Sequence, residues 1–94
     1  MTTAEVEVRN PSGLHARPAA EFVRAAARFK SRIRVENLTA GRPAGEAKSI
    51  LGVLACGVLK GHRVRISAEG EDETAAVPVL VALIESGLGE PLGG

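Results

Sequence analysis

With 94 residues the chain has length for one domain and a single core, and a content of 45% hydrophobic and 24% charged side chains is that of a sequence that folds. Twelve basic against eleven acidic side chains leave a net charge of +1 without any basic block, and Phe22 and Phe29 are the only aromatics, which excludes the charge footprint and the stacking platform of a nucleic-acid binder. A lone Cys56 cannot form an internal disulfide, and neither a signal-peptide run nor a bilayer-length apolar stretch is present, so a soluble cytoplasmic domain without membrane insertion is expected.

The chain opens on an alternation, Ala4, Val6 and Val8 against Glu5, Glu7 and Arg9. Successive strand side chains point to opposite faces, so this reads as a strand with one face buried and one wet. The turn formers Asn10-Pro11-Ser12-Gly13 follow and supply tight, exposed backbone. A helix is expected over about residues 16–29, with Ala19, Phe22, Val23, Ala26 and Phe29 on one apolar stripe and Glu21, Arg24 and Arg28 facing away. Pro18 falls in its first turn, where a missing amide hydrogen costs little.

Ile33 and Val35 against Arg32, Arg34 and Glu36 read as a second half-buried strand, and a short further strand is expected over residues 38–42, before Pro43 and Gly45 interrupt it. Asn37-Leu38-Thr39 matches a glycosylation acceptor, but no secretory signal gives that match a context. Residues 48–56 read as a short helix with Ser49 as N-cap and Gly57 as its stop, although Gly52 within it costs about 1 kcal/mol of propensity relative to alanine. Val64, Ile66 and Ala68 against Arg63, Arg65 and Ser67 form the last alternating strand, with His62 expected to face solvent at its start. A final helix near residues 72–86 carries Val77, Leu80, Val81, Ile84 and Leu88 on one face and stops at Gly87, while Pro78 removes one of its hydrogen bonds and predicts a loose first turn or a bend. Residues 89–94 are expected to form a flexible tail, leaving residues 1–88 as the domain.

Alternation with one wet face belongs to antiparallel sheets, and the helices must cover the apolar face. The order βαββαβα therefore predicts an α+β fold: a four-stranded antiparallel sheet covered on one face by three helices.

The chemistry concentrates in residues 10–20. Neutral imidazole is a good nitrogen nucleophile near neutrality because its reference pKa is about 6.5. If the helix starts after His15, the amides of Ala16 and Arg17 point outward unpaired and, with the helix dipole, form an anion site. Arg17 adds a donor fork suited to phosphate oxygens, and Pro18 biases it away from helical backbone angles. Phosphoryl transfer relies mostly on positioning and electrostatics, and the chain has neither a magnesium-binding carboxylate cluster nor a Gly-rich nucleotide loop, which fits a carrier loaded by another protein. A hydrolase built on Ser12 lacks the Gly-x-Ser-x-Gly elbow and a neighbouring carboxylate, and Cys56, His62 and His15 lack zinc-ligand spacing. No metal or cofactor is expected.

Gly13-Leu14-His15-Ala16-Arg17-Pro18-Ala19 closely resembles the active-site signature of the HPr family, the phosphocarriers of the bacterial sugar phosphotransferase system. Ala47-Lys48-Ser49-Ile50-Leu51-Gly52-Val53 and Ile66-Ser67-Ala68-Glu69-Gly70-Glu71-Asp72-Glu73 resemble the family's other two signature stretches, in the same order, and the likeness runs over about residues 5–85. Residues 38–46 are a few residues longer than usual, a departure expected to change only a surface turn. The resemblance implies an open-faced β-sandwich and a monomeric, stoichiometric carrier rather than an enzyme. It implies that enzyme I, charged by phosphoenolpyruvate, phosphorylates His15 on Nδ1, and that the group passes to IIA domains of sugar permeases. Arg17 and the Ala16 and Arg17 amides would hold the phosphate, with Ser12 and Pro18 as supports.

Both partners must meet one side chain, so they dock on one face. Leu14, Ala20, Ile50, Leu51 and Leu54 are expected to supply an apolar patch there, with Arg17, Arg24 and Arg28 as a basic rim. The alternative for Ile50, Leu51 and Leu54 is core packing, and on so short a helix not all three can be inside. In Firmicute members the serine matching Ser49 is also phosphorylated, which implies regulation here by a serine kinase/phosphorylase; a phosphate adds about −2 charge. Two rivals remain: a regulatory HPr-like binding protein acting through Ser49, against which His15 and Arg17 argue, and a nitrogen-related phosphorelay paralogue, which needs the same residues.

Overall fold

Alternating apolar residues can be buried together only if their strands pair in phase, and they do. The computed structural model describes residues 1–92 and contains β1 (Thr2–Glu7), α1 (Ala16–Ala26), β2 (Arg32–Asn37), β3 (Gly45–Glu46), α2 (Ile50–Ala55), β4 (Arg63–Glu69) and α3 (Glu73–Glu85). The sheet runs β1-β4-β2-β3 with every pair antiparallel. Val6 lies opposite Val64, Ala4 and Val35 flank Ile66, and Ile33 opposes Ala68, so the apolar face is continuous across three strands. A slip of one residue would turn that whole set toward water. The wet face is fixed by charge: Arg65 lies between Glu5 and Glu36 and reaches them at 3.3 and 3.2 Å. Opposite-charge cross-strand pairs of this kind contribute about 0.2–1 kcal/mol each.

α3 packs over β1 and β4 on the apolar face, and α1 contacts both α3 and α2, its buried residues joining the same core. Phe22, Leu14, Ile33, Ile66, Leu80 and Ile84 are the large fully buried side chains at the centre. This is the open-faced β-sandwich expected, a four-stranded antiparallel sheet under three helices.

One strand lies elsewhere than expected. Residues 38–41 form a turn, and β3 is the two-residue strand Gly45–Glu46. Buried Asn37 ends β2: its Oδ1 accepts the Ala40 amide at 3.0 Å, and its Nδ2 donates to the Cys56 carbonyl at 3.0 Å. Burial also removes Asn37 as a modification site. Gly45 is a packing requirement rather than a breaker, because a Cβ there would collide with the Gly52 carbonyl oxygen.

α1 ends at Ala26, and residues 27–29 continue it as hydrogen-bonded turns. Pro78 sits inside α3 on an exposed face, where solvent can serve the carbonyl left without an amide partner. At Gly87 the helix stops as expected: the Gly87 amide bonds the Ile84 carbonyl and the Leu88 amide that of Leu83, a Schellman motif with Gly87 at φ +98°.

Asp72 ties the start of α3 to the turn before β2. Its carboxylate accepts the Lys30 and Ser31 amides at 2.7 and 2.9 Å and the Ser31 hydroxyl. The hydroxyl, then the Lys30 amide, hold its carboxyl below the ordinary value of 3.8. A lowered folded-state pKa gives stability that is complete above the unfolded value and is lost as pH falls through the folded one. Melting temperature should therefore drop as pH falls below about 4, and Asp72→Asn should be less stable at neutrality with a shallower acid loss. Parallel pH profiles for parent and variant would contradict this role.

Candidate functional site

The segment that carries the site is a tight turn pinned to the body of the protein. The Gly13 amide donates to the Asn10 carbonyl at 3.1 Å, and Asn10 Nδ2 donates to the Gly13 carbonyl at 2.9 Å. Pro11 presets the first corner. Gly13, at φ +60°, passes so close to residues 58–59 that a Cβ would collide with the Val58 carbonyl and stand 2.9 Å from the Leu59 Cα. The Leu14 amide then donates to that carbonyl at 3.0 Å while the Leu14 side chain is fully buried. Leu14 therefore cannot belong to the docking patch expected of it; it anchors the segment in the core.

Directly after this anchor the chain turns outward. His15 is extended (φ −132°, ψ 163°), half-buried, and occupies the N-cap position of α1 without capping it by its side chain. Ala16 follows at φ +52°, left-handed backbone that costs a non-glycine residue about 1–2 kcal/mol. Such strain persists only where neighbours over-determine the conformation, and it concentrates at functional sites. Pro18 is buried and fills the first turn, and the Ala19 amide makes the first helical bond, to His15, at 3.4 Å. Among the described residues the Ala16 and Arg17 amides donate to no acceptor. α1 has no acidic residue in its first turn, so nothing offsets its positive end, and exposed Arg17 makes no ion pair among the described residues. An imidazole, two amides without acceptors among the described residues and an exposed arginine thus stand in sequence at one helix start, an arrangement suited to an anion.

Ser12, expected as a support, is half-buried and bonded through its amide and hydroxyl to Glu90. The second residue of the tail expected over residues 89–94 is thus engaged with the site's turn; residues 93 and 94 lie outside the described residues.

α2 is oriented by its small inner face. Val53 is its only buried residue, Cys56 caps it from inside, and Gly52 lies flush against Glu46. Ile50, Leu51 and Leu54 all point outward and are 41%, 76% and 36% exposed, so none of the three enters the core. Leu59, whose backbone abuts Gly13, is also 56% exposed; in the sequence it stands beside Val58, which is buried, and nothing local tells which of the two faces out. Ala20 is half-buried, Arg28 exposed, and Arg24 is exposed but paired with Glu21 at 3.0 Å. Ser49 caps α2, its hydroxyl oxygen accepting the Gly52 amide at 3.1 Å.

His62 is half-buried rather than solvent-facing: its Nδ1 meets Asn37 Nδ2 at 3.0 Å and accepts the Leu59 amide at 3.2 Å, which leaves the proton on Nε2. Burial pushes the Cys56 thiol up, and among the described residues no group of acidic, histidine or cysteine side chains is placed to hold a metal.

Residues 2–86 match the family described as the PTS HPr component phosphorylation site. The phosphocarrier protein HPr of Haemophilus influenzae is 44% identical over 84 residues, covering 89% of this chain and 95% of that protein. The multiphosphoryl transfer protein of the same organism is 46% identical over 83 residues, and there the chain spans only 17% of the relative's length. A crystal structure of HPr-C-His from Thermoanaerobacter tengcongensis superimposes with a TM-score of 0.90 at 47% identity, over 97% of this chain and 99% of that one.

The turn geometry makes opposite forecasts for neighbouring small residues. Gly13→Ala should lose about 3 kcal/mol in urea unfolding, since it combines left-handed strain with a backbone collision. Ala16→Gly should change stability by less than about 1 kcal/mol, because relieved strain offsets the greater freedom of the unfolded chain. A Gly13→Ala protein as stable as the parent would contradict the close approach.

Proposed function

The chain belongs to the HPr family of the phosphotransferase system, and on that premise we propose that it is a stoichiometric phosphoryl carrier whose acceptor is His15. The observation that carries this reading is the helix mouth, where the Ala16 and Arg17 amides have no acceptor among the described residues, directly after a half-buried imidazole.

In this reading enzyme I, charged by phosphoenolpyruvate, presents its phosphoryl group to His15. The lone pair of His15 Nδ1 forms the new N–P bond while the bond to the donor breaks in line, and the donor keeps the electron pair. The first-turn amides and the Arg17 guanidinium take up the charge on the phosphoryl oxygens without rearranging, the electrostatic preorganisation on which such transfer depends. Attack by a residue of a IIA domain reverses the step. The protein performs no net chemistry alone.

Both partners reach one nitrogen, so they share one docking face: Ile50, Leu51, Leu54 and Leu59 with Ala20 as its apolar part, and Arg17, Arg24 and Arg28 as its rim. Small interfaces of this type gain on-rate and specificity from charge, which predicts acidic partner surfaces. A monomer working in the cytoplasm satisfies these requirements. Regulation at Ser49 fits the same face: a phosphate there adds about −2 charge between the rim and the patch while remaining at a helix start that tolerates it. A nitrogen-related relay would use the same residues.

Incubation with phosphoenolpyruvate and enzyme I should give one acid-labile, base-stable phosphate per chain, and none in His15→Ala; label in the alanine variant would refute the assignment. Arg17→Glu should slow transfer about hundredfold and leave the melting temperature within about 2 °C of the parent's. A large loss of thermal stability would place Arg17 in the scaffold instead.

A further inference from the structure

Beyond α3 the chain doubles back over itself. Buried Leu88, at φ +53°, and Gly89, at φ +88°, close the path, and the Glu90 amide bonds the Gly87 carbonyl at 2.9 Å. This brings the Glu90 carboxylate onto the turn that precedes His15. Oε1 accepts Asn10 Nδ2 and the Ser12 amide, both at 2.9 Å, and Oε2 accepts the Ser12 hydroxyl at 2.8 Å. Asn10 is fully buried, its Nδ2 is shared with the Gly13 carbonyl, and its Oδ1 has no partner among the described residues. Both of its Nδ2 partners are carbonyl or carboxylate oxygens, so the amide cannot be turned round to serve that oxygen without losing them. The bonds from Asn10, then Ser12, hold the Glu90 carboxyl below its ordinary value, so it is charged at neutral pH.

We propose that Glu90 is a positioning residue for phosphoryl transfer: by clamping Asn10 and Ser12 it fixes the turn of residues 10–13 and, through it, the backbone of His15 and Ala16. This rests on the reading of His15 as the acceptor. The turn is held from inside by the Leu14 amide on the Val58 carbonyl and from outside by this carboxylate. Remove the outer hold, and Ser12 turns its amide and hydroxyl to water while the turn is free to rock about Leu14. Ala16 then loses one of the constraints that keep it left-handed, and the ring and the first-turn amides no longer share one fixed geometry. A displacement of about 1 Å at a reacting group can cost about hundredfold in rate, so partial loosening is expected to show clearly.

The test uses the full chain with phosphoramidate, a small donor that needs no docking face, and follows phosphate on His15. Glu90→Ala should lower the rate at saturating donor about tenfold with little change in the half-saturating concentration. Glu90→Gln, which keeps one accepting oxygen but cannot accept from both Ser12 groups, should fall between parent and alanine variant. Asp72→Asn loosens a different carboxylate clamp, remote in sequence from the turn, and should keep the parent rate within about twofold. Amide hydrogen exchange should quicken at Ser12, Gly13 and Leu14, the turn amides that hold acceptors, in Glu90→Ala and stay unchanged there in Asp72→Asn. An unlabelled parent would defeat the carrier reading and the proposal with it. A labelled parent with an equal or faster rate in Glu90→Ala, or an equal loss in Asp72→Asn, would overturn the proposal alone.

Discussion

Where the backbone of Gly13 and Leu14 meets that of Val58 and Leu59, the segment that carries His15 is pinned to the core. The Leu14 amide spends its hydrogen on the Val58 carbonyl, the Leu14 side chain enters the core, and Gly13 leaves no room for a Cβ. The chain that emerges has nowhere to go but outward, and His15 is the first residue to do so. α1 then begins by a left-handed step at Ala16, and the Ala16 and Arg17 amides are left without acceptors among the described residues. A half-buried imidazole beside first-turn amides follows from one buried leucine and one glycine, and with the charge of Arg17 it forms the site proposed for the phosphoryl group.

This division of labour explains why so little chemistry is needed. The sheet and its helices bury a core that is aliphatic apart from Phe22 and Cys56, with Leu14 as the site's hold on it, and the wet face balances its charge through Arg65. The surface proposed to be functional is built from turn 10–13, which abuts residues 58–59, and from α1, which contacts α2. α2 contributes by being a poor core helix: with Gly52 and Val53 inward, its larger residues have only solvent to face. Exposed leucines that would be a liability elsewhere suit the docking face proposed for transient partners.

Three strands and both long helices could be read directly from the residues because they obey a period, two for Val6, Val35 and Ile66 and near 3.6 for Phe22, Leu80 and Ile84. The helix mouth was legible too, since His15, Arg17 and Pro18 each carry a local consequence for backbone or charge. What was not legible has no period. β3 has two residues, and its Gly45 looks like a breaker although it answers a contact with Gly52. Leu14 is an isolated apolar residue in a turn, which reads equally well as surface or anchor. Glu90 meets Ser12 across 78 residues of sequence, and His62 finds Asn37 across 25; nothing local in either segment announces its partner.

The most direct measurement compares amide proton and nitrogen chemical shifts before and after the chain has been charged with phosphate. The largest changes should fall on the Ala16 and Arg17 amides, moved downfield as they take up the phosphoryl oxygens, while Val35 and Ile66 in the sheet stay in place. A charged His15 with the Ala16 and Arg17 amides unmoved would show that the helix mouth does not hold the group, and would contradict the electrostatic basis of the carrier.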